Sequence, residues 1–501
     1  VQEIENITDL DTAKHALAMA FAEIQRLNKR IATLTTQLAA AKGKAEADQL
    51  QLELQHLQEQ LGAFQHKVFG DSSEKRPRGK GSRPAKKPKR GHGPREQPEL
   101  TKQEVLFELP ESDRSCPSCG EQMAAVPGLT EDSTVIAKLS QQFWELLAKR
   151  QKYRCSCNGA LRVAPGPHKA IEGGRYTLDF AVNVAVDKYA DALPLERQVR
   201  IMKRAGLLCD SQTLWDQLDA LAVHLEPSYL ALREYIIGAD VIGADETWWR
   251  LMQKKANKKW YAWGLTTHDA CWYKLADSRS AKLASEVLEG FEGTVLCDGY
   301  KAYETVAKEC RSIKLAHCWA HVRRKFVEAE PNYPVPCGEA LEMIGELFAI
   351  EDGLLKADAL EGDAKIELLK LRKAQREKYS RPLLDKLKAW ALTQRGLPKS
   401  GLRKAIDYML LRWKGLCAFL DDPHVEIHNN QTERALRGMV LGRKNHYGSR
   451  SKRGTEVAAI MYSLVESAKL CGVNPVEYLF KAAVRATKTP GATMLPNELT
   501  V

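Results

Sequence analysis

Three acidic residues, far apart in the chain, carry the most informative chemistry. Asp245 closes the apolar run of VIGADETWW, and Asp298 closes that of TVLCDGYKAYETV. Each is expected where a buried strand emerges. Two ionised carboxylates brought side by side repel, and burial penalises both. A divalent cation relieves both costs at once. Mg2+ prefers oxygen ligands and keeps waters that substrate phosphates replace. Two such ions, about 3.5–4 Å apart, activate the attacking oxygen and stabilise the leaving one at a phosphodiester. Either Asp alone reads as a strand-end turn residue; the matched pair of junctions points to metal chemistry.

A third ligand must come from a later helix, and HNNQTERALRGMVLGRKNHYGS offers Glu433. With Asn430 as N-cap, Glu433 falls at N3, the position of a capping-box glutamate, so local sequence leaves cap and ligand both open. Arg434, Arg437, Arg443 and Lys444 gather beside it. Such a cluster suits either a phosphate backbone or a solvated helix face. In CWAHVRRKF, Arg323, Arg324 and Lys325 are candidate phosphate clamps. His317, Cys318 and His321 have the make-up of a further metal site. The preferred reading puts Cys318 and Trp319 in the core and turns His321 to the cleft, as a proton-transfer aid or phosphate contact.

The elements that must position these groups run in a telling order. Residues 238–316 read as strand with Asp, strand, strand, helix, strand with Asp, helix, strand, with a turn near His268–Asp269. That is the order of a ribonuclease H-like fold. Residues 331–422 are Leu-, Lys- and Glu-rich with helical periodicity, a helical insertion that explains the 135-residue separation of Asp298 and Glu433.

Upstream, Ile24, Leu27, Ile31, Leu34 and Leu38 form a heptad seam, and Leu50, Leu54, Leu57, Leu61, Phe64 and Val68 form a second. They are out of phase, with the break near Gly43. A seam must bury against something: a second copy of the helix is the simplest partner, and folding back on its own domain is the alternative. Residues 71–95 hold Pro, Gly and ten Lys/Arg, the composition of a disordered basic linker that neutralises phosphates or merely tethers. Cys116 and Cys119 form a C-x-x-C knuckle, and Cys155 and Cys157 a tighter C-x-C pair. Four thiolates in two close pairs point to a structural Zn2+ with no open coordination position. Residues 171–232 read as helices. Gly206 lies near a turn, and Asp210 or Ser211 is the N-cap of the second helix, so the pattern fits a helix-turn-helix or any helical hairpin.

The expected α/β architecture is thus a coiled-coil helix at 1–70, a basic linker at 71–100 and a zinc-binding module at 101–170. A helical DNA-binding region at 171–232 follows. The ribonuclease H-like core occupies 233–330, the insertion 331–422, the Glu-bearing part 423–470 and a tail 471–501. The net charge of +11, from 75 Lys+Arg against 64 Asp+Glu, suits a polyanionic partner or simply a basic face. No run approaches the roughly 18–20 apolar residues of a membrane span. VQEIENITDL has neither the basic nor the apolar region of a secretion signal, so a reducing, cytoplasmic compartment is expected.

Taken together, the motifs resemble the large transposase subunit of the insertion-sequence sixty-six family, a bacterial DDE group. The matching segments are FGDSSEK at Phe69–Lys75, the four cysteines, ADETWW at Ala244–Trp249 and CDGY at Cys297–Tyr300. HCWAHVRRKF at His317–Phe326, NNQTER at Asn429–Arg434 and GRKNHYGS at Gly442–Ser449 complete the set. The chain departs from the family pattern at His428, where Asp is frequent, and at His446 and Tyr447, where an apolar or aromatic pair is frequent. The resemblance implies that Asp245, Asp298 and Glu433 bind Mg2+ or Mn2+. It also implies double-stranded transposon ends and target DNA as partners, element-encoded accessory proteins and a nucleoid-associated location. The expected activity is cleavage at the element ends and transfer of the 3′-hydroxyl to target DNA by a dimer or higher oligomer. A non-catalytic, domesticated DNA-binding protein and a nuclease without strand transfer share many of these features.

Overall fold

The structure, a computed structural model, describes residues 10–40, 43–69, 120–122, 125, 142–154, 161–253, 259–354 and 362–500. Cys116, Cys119, Cys155 and Cys157, and with them the expected zinc site, lie outside the described residues, as does the basic linker at 71–100. The chain divides into two compact units, residues 71–141 and all the rest, and the larger unit holds the central sheet and its helices.

Helices α1 (Leu10–Ala40) and α2 (Lys44–Phe69) pack on one another, with the break at Gly43 where the two seams lose phase. Leu27 and Leu34 of α1 and Leu54 of α2 are buried within the single chain. Folding back, the alternative left open by the sequence, accounts for these three leucines. A short antiparallel pair, β1 (Lys152–Arg154) and β2 (Leu161–Val163), precedes helices α3 (Leu178–Tyr189), α4 (Leu195–Arg204) and α5 (Ser211–Ile237). Asp210 caps α5, its carboxylate accepting from the Thr213 amide at 2.7 Å. Residues 205–210 link α4 to α5, longer than the 3–4-residue turn of a helix-turn-helix. Leu214, Leu218, Leu221, Leu225, Leu232 and Ile236 put one face of α5 into the main core, so this is a long core helix in a helical hairpin.

A five-stranded sheet forms the centre: β3 (Val241–Arg250), β4 (Lys259–Thr266), β5 (Cys271–Ala276), β6 (Gly293–Cys297) and β7 (Ile313–His317). Its order is β5-β4-β3-β6-β7. The first three strands are antiparallel, and β3, β6 and β7 are parallel. Helices α6 (Ala281–Val287) and α7 (Lys301–Glu309) bracket β6 in sequence. The strand that bears Asp245 does not end there. It pairs with β4 from Gly243 to Arg250 but with β6 only from Val241 to Gly243. Asp245 therefore sits where β6 falls away from a strand that continues.

At the outer edge, β5 is closed by side chains. The amide of Cys271 donates to Ser467 Oγ at 2.9 Å, and that hydroxyl returns a hydrogen bond to the Cys271 carbonyl at 3.0 Å. The Tyr273 amide donates to Ser463 Oγ at 2.8 Å, and the Tyr273 carbonyl accepts from Tyr229 at 2.8 Å.

Helix α8 (Trp319–Ala329) follows β7. Next come α9 (Pro334–Asp352), α10 (Gly362–Gln375), a π-helical turn (Arg376–Ser380), α11 (Arg381–Thr393), α12 (Gly401–Leu411), α13 (Trp413–Leu416) and α14 (Ala418–Asp421). These helices build a second hydrophobic core, which takes in Trp319, Phe326, Ile344, Leu347, Leu387, Ile406 and Met409 and reaches the sheet at Leu296 and Ala316. Arg376, fully buried, forks onto Glu351 at 2.8 and 2.7 Å and donates to the Phe419 carbonyl at 2.8 Å, tying the π turn to α9 and α14. The chain then returns to the main core through α15 (Asn430–His446), α16 (Lys452–Leu470) and α17 (Pro475–Lys488). Residues 471–501 are no loose tail: Tyr478, Leu479, Ala482 and Ala483 of α17 are buried in that core.

Candidate active site

Asp245 lies on β3 and Asp298 just past the end of the adjacent parallel strand β6, each two residues past the final paired couple Gly243 and Leu296. Each carboxylate makes one local hydrogen bond: Asp245 accepts from the Glu246 amide and Asp298 from the Tyr300 amide, both at 2.8 Å. Burial, first, and then the charges of Glu246, Asp298 and Glu433 push the Asp245 carboxyl up to about 8.

Helix α15 brings Glu433 to the same place. Asn429 anchors it, donating through Nδ2 to the carbonyl of Ala244, the residue before Asp245, at 2.9 Å. Asn429 Oδ1 accepts from Thr432 Oγ1 at 2.6 Å, and Thr432 pairs with Thr266 of β4 at 2.6 Å. This docking needs glycine at 243, because a Cβ there would lie 2.1 Å from Thr432 Oγ1. The helix is capped by Asn429, one residue earlier than the sequence suggested, so Glu433 stands in the fourth helical position. Its carboxylate caps no backbone amide. Instead Oε1 is buried with no hydrogen-bond partner. The nearest basic nitrogens are His321 Nε2 at 3.6 Å and Arg324 Nη2 at 3.8 Å.

His321 is half-buried on α8, and its Nδ1 is also buried without a partner. Burial lowers its imidazolium pKa, against the pull of Glu433 and Asp298. Cys318 and Trp319 are core residues, as expected, with Cys318 at the N-cap of α8. Cys318 Sγ, a ring nitrogen of His321 and a Glu433 oxygen lie within 4.8 Å of one another, a second grouping with metal-ligand chemistry. Cys318 Sγ, however, already accepts from the Asn429 amide at 3.2 Å, and burial pushes the thiol pKa up against the pull of the Asn429, His321 and Ala320 amides.

One acid escaped the sequence reading. Glu246 projects next to Asp245, with its side chain 1% exposed. Arg279 Nε donates to it at 2.7 Å and Tyr303 at 3.0 Å. Arg279 also stacks over Tyr300 at 3.9 Å. The acidic pair Asp245-Glu246 was visible in the sequence. Nothing in the loop before α6 marked Arg279 as its partner.

The predicted cations divide. Arg323, Arg324, Arg434, Arg437 and Lys444 are exposed, and Lys325 pairs with Glu328 at 3.0 Å. Arg443 is buried. It stacks on Trp248 at 3.8 Å and donates to Thr247 Oγ1 at 3.2 Å and to the Trp248 carbonyl. The rest of GRKNHYGS also grips β3. Ser449 accepts from Trp249 Nε1 at 3.1 Å, and its amide donates to the Arg250 carbonyl at 2.9 Å. Burial drives the His446 pKa down to about 4, and its ring bonds the Gly448 carbonyl and the Tyr462 hydroxyl, each at 3.2 Å. His428 stacks on Phe348 of the insertion. A cleft of about 640 Å³ lies between α6 and α7, and none of the three acids lines it.

A mixed sheet lies under a helical majority, and the charges of Asp298 and Glu433 both reach Asp245. The chain belongs to the IS66 transposase family: the family model described as "Transposase IS66 family" matches residues 173–457, which contain all three acids and the whole insertion. It is similar to "Uncharacterized protein y4jD" of Sinorhizobium fredii, 32% identical over 401 residues that cover 76% of each chain. It is also similar to "Uncharacterized protein y4hP" of the same organism, 27% identical over 499 residues that cover 93% of this chain and 87% of the relative.

Proposed function

We propose that the chain is a DDE transposase with a ribonuclease H-like core, which cleaves DNA at element ends and joins the freed 3′-hydroxyl to target DNA. Asp245, Asp298 and Glu433 are the ligands of Mg2+ or Mn2+. The observation that carries this reading is the state of two of the acids in the protein alone. Asp245 is pushed up to about 8, and Glu433 keeps a buried oxygen without a hydrogen bond. Most buried polar atoms in folded proteins find partners, and an unpaired carboxylate oxygen beside two further carboxylates fits a hard-cation site. When bound, the ions supply Lewis-acid activation of the attacking oxygen and stabilisation of the leaving one.

The protein's own groups do the remainder. Asn429 and Thr432 fix where α15 meets β3, and hence where Glu433 points. His321 lies beside the Glu433 carboxylate with Nε2 3.6 Å from Oε1, beyond hydrogen-bond distance. Arg323, Arg324, Arg434, Arg437 and Lys444 face solvent and hold the phosphate backbone without reading sequence. Arg443, engaged inside the fold, supports β3 instead.

The test is a nicking and strand-transfer assay on DNA carrying element ends, with Mg2+ or Mn2+. Asp245→Ala should abolish cleavage and leave end binding within about twofold. Cleavage that survives in Asp245→Ala removes that residue from the site. Cleavage without joined products identifies a nuclease, and no metal-dependent nicking at all identifies a DNA-binding protein.

A further inference from the structure

The turn that carries Asp298 is held from behind by the insertion. Tyr408 of α12 donates its hydroxyl to the Asp298 carbonyl. Arg412, one helical turn on, donates through Nη2 to the Gly299 carbonyl at 2.7 Å and pairs with Glu304 of α7 at 3.3 Å. The two side chains act as a unit, because the Arg412 guanidinium lies 4.2 Å over the Tyr408 ring. Gly299 has φ +88°, and a Cβ there would lie 2.0 Å from Arg412 Nε. The close approach therefore depends on glycine and on this arginine together. The helix that delivers the pair is braced at its other end. Glu59 of α2 accepts from the amide of Gly401, the first residue of α12, at 2.8 Å. Helix α12 also packs along α8, the helix of His321 and Arg324.

We infer that the insertion is part of the active site and not a spacer: Tyr408 and Arg412 are positioning residues that fix the Asp298–Gly299 backbone so that Asp298 presents its carboxylate to the cation. This rests on the reading of Asp298 as a metal ligand. Carboxylate ligands need placement to about 0.5 Å, and groups behind them typically govern metal affinity by about 10–100-fold. Asp298 has a single local hydrogen bond, to the Tyr300 amide, so its direction is set largely by the backbone that α12 grips.

The experiment is an electron paramagnetic resonance titration of the full chain with Mn2+, alongside thermal melting and end-DNA binding in EDTA. Tyr408→Phe and Arg412→Lys should each weaken Mn2+ binding about 10-fold. Melting and DNA binding should stay near wild type. A merely structural role predicts the reverse, a lower melting temperature with Mn2+ affinity unchanged. Mn2+ affinity unchanged in both variants and in the double variant overturns the inference. Should Arg412→Lys melt early, Tyr408→Phe, which removes one hydroxyl, decides alone. Asp298→Asn serves as control. Wild-type Mn2+ affinity in Asp298→Asn defeats the metal-ligand reading itself, whereas lost affinity there with normal affinity in the α12 variants defeats only the role of α12.

Discussion

Helix α15 is dense in polar residues at both ends, and the two ends treat them differently. At the N-terminal end, Glu433 keeps a buried oxygen with no hydrogen bond, although Asn429 and Thr432 beside it are fully engaged. At the C-terminal end, Arg443 and His446 place their buried nitrogens on named partners along β3 and α16. A fold settles its own polar groups wherever it can, because a buried unpaired one costs about 1–3 kcal/mol. The contrast sets residues that serve the fold apart from Glu433, the metal ligand proposed above.

The sharpest break of this comparison is functional. Glu433→Gln preserves shape and removes the charge, and metal-dependent nicking should fall by about 10³-fold or more, the scale for losing one member of a catalytic set. A gel assay with Mg2+ reads this out, and near-normal nicking would return Glu433 to a structural role. At the other end, Arg443→Ala should cost about 3 kcal/mol in denaturant unfolding, because two carbonyl or hydroxyl acceptors lose a charged donor. Mn2+ affinity of the folded variant should remain that of wild type. If instead stability holds and only DNA binding drops, Arg443 belongs with the exposed cations.

Asp245 gives a pH-dependent form of the same contrast. Its folded pKa, about 8, lies above the unfolded value of 3.8, so the folded state keeps a proton that the unfolded chain has released. Stability present below about pH 4 is lost progressively as pH rises to about 8. In metal-free buffer Asp245→Asn lacks this loss and should exceed wild type by about 2 kcal/mol at pH 8, with the gap shrinking toward pH 4. Parallel melting curves at both pH values would contradict the raised pKa. The smallest effect is expected from the solvent-facing cations. Arg323→Gln or Arg437→Gln should weaken end binding a few-fold and lower the salt slope by about 1, as for one lost phosphate contact. A salt titration of binding checks this.

The parts legible in the sequence were those set by periodicity. Apolar runs announced β3 and β6, the 3.6-residue pattern announced the insertion, and Asp210 announced the start of α5. Contacts between distant segments left no such trace. Arg443 looked like its neighbour Lys444 until the fold buried one and exposed the other. Asn429 and Asn430 are equally good caps in isolation, and only the Ala244 carbonyl selects Asn429. Asp245 looked terminal because the apolar run stops, yet pairing with β4 carries the strand on through Trp248 and Trp249. Arg279, Tyr408 and Arg412 gained meaning only from what folded against them.

The serines of α16 have a bearing on how copies of this protein can gather. An outermost strand normally offers free amides and carbonyls to any passing strand. Ser463, Ser467 and Tyr229 occupy those of Cys271 and Tyr273, which leaves little of β5 open to another strand. A chain stripped of these hydroxyls would trade that guarded border for an adhesive one.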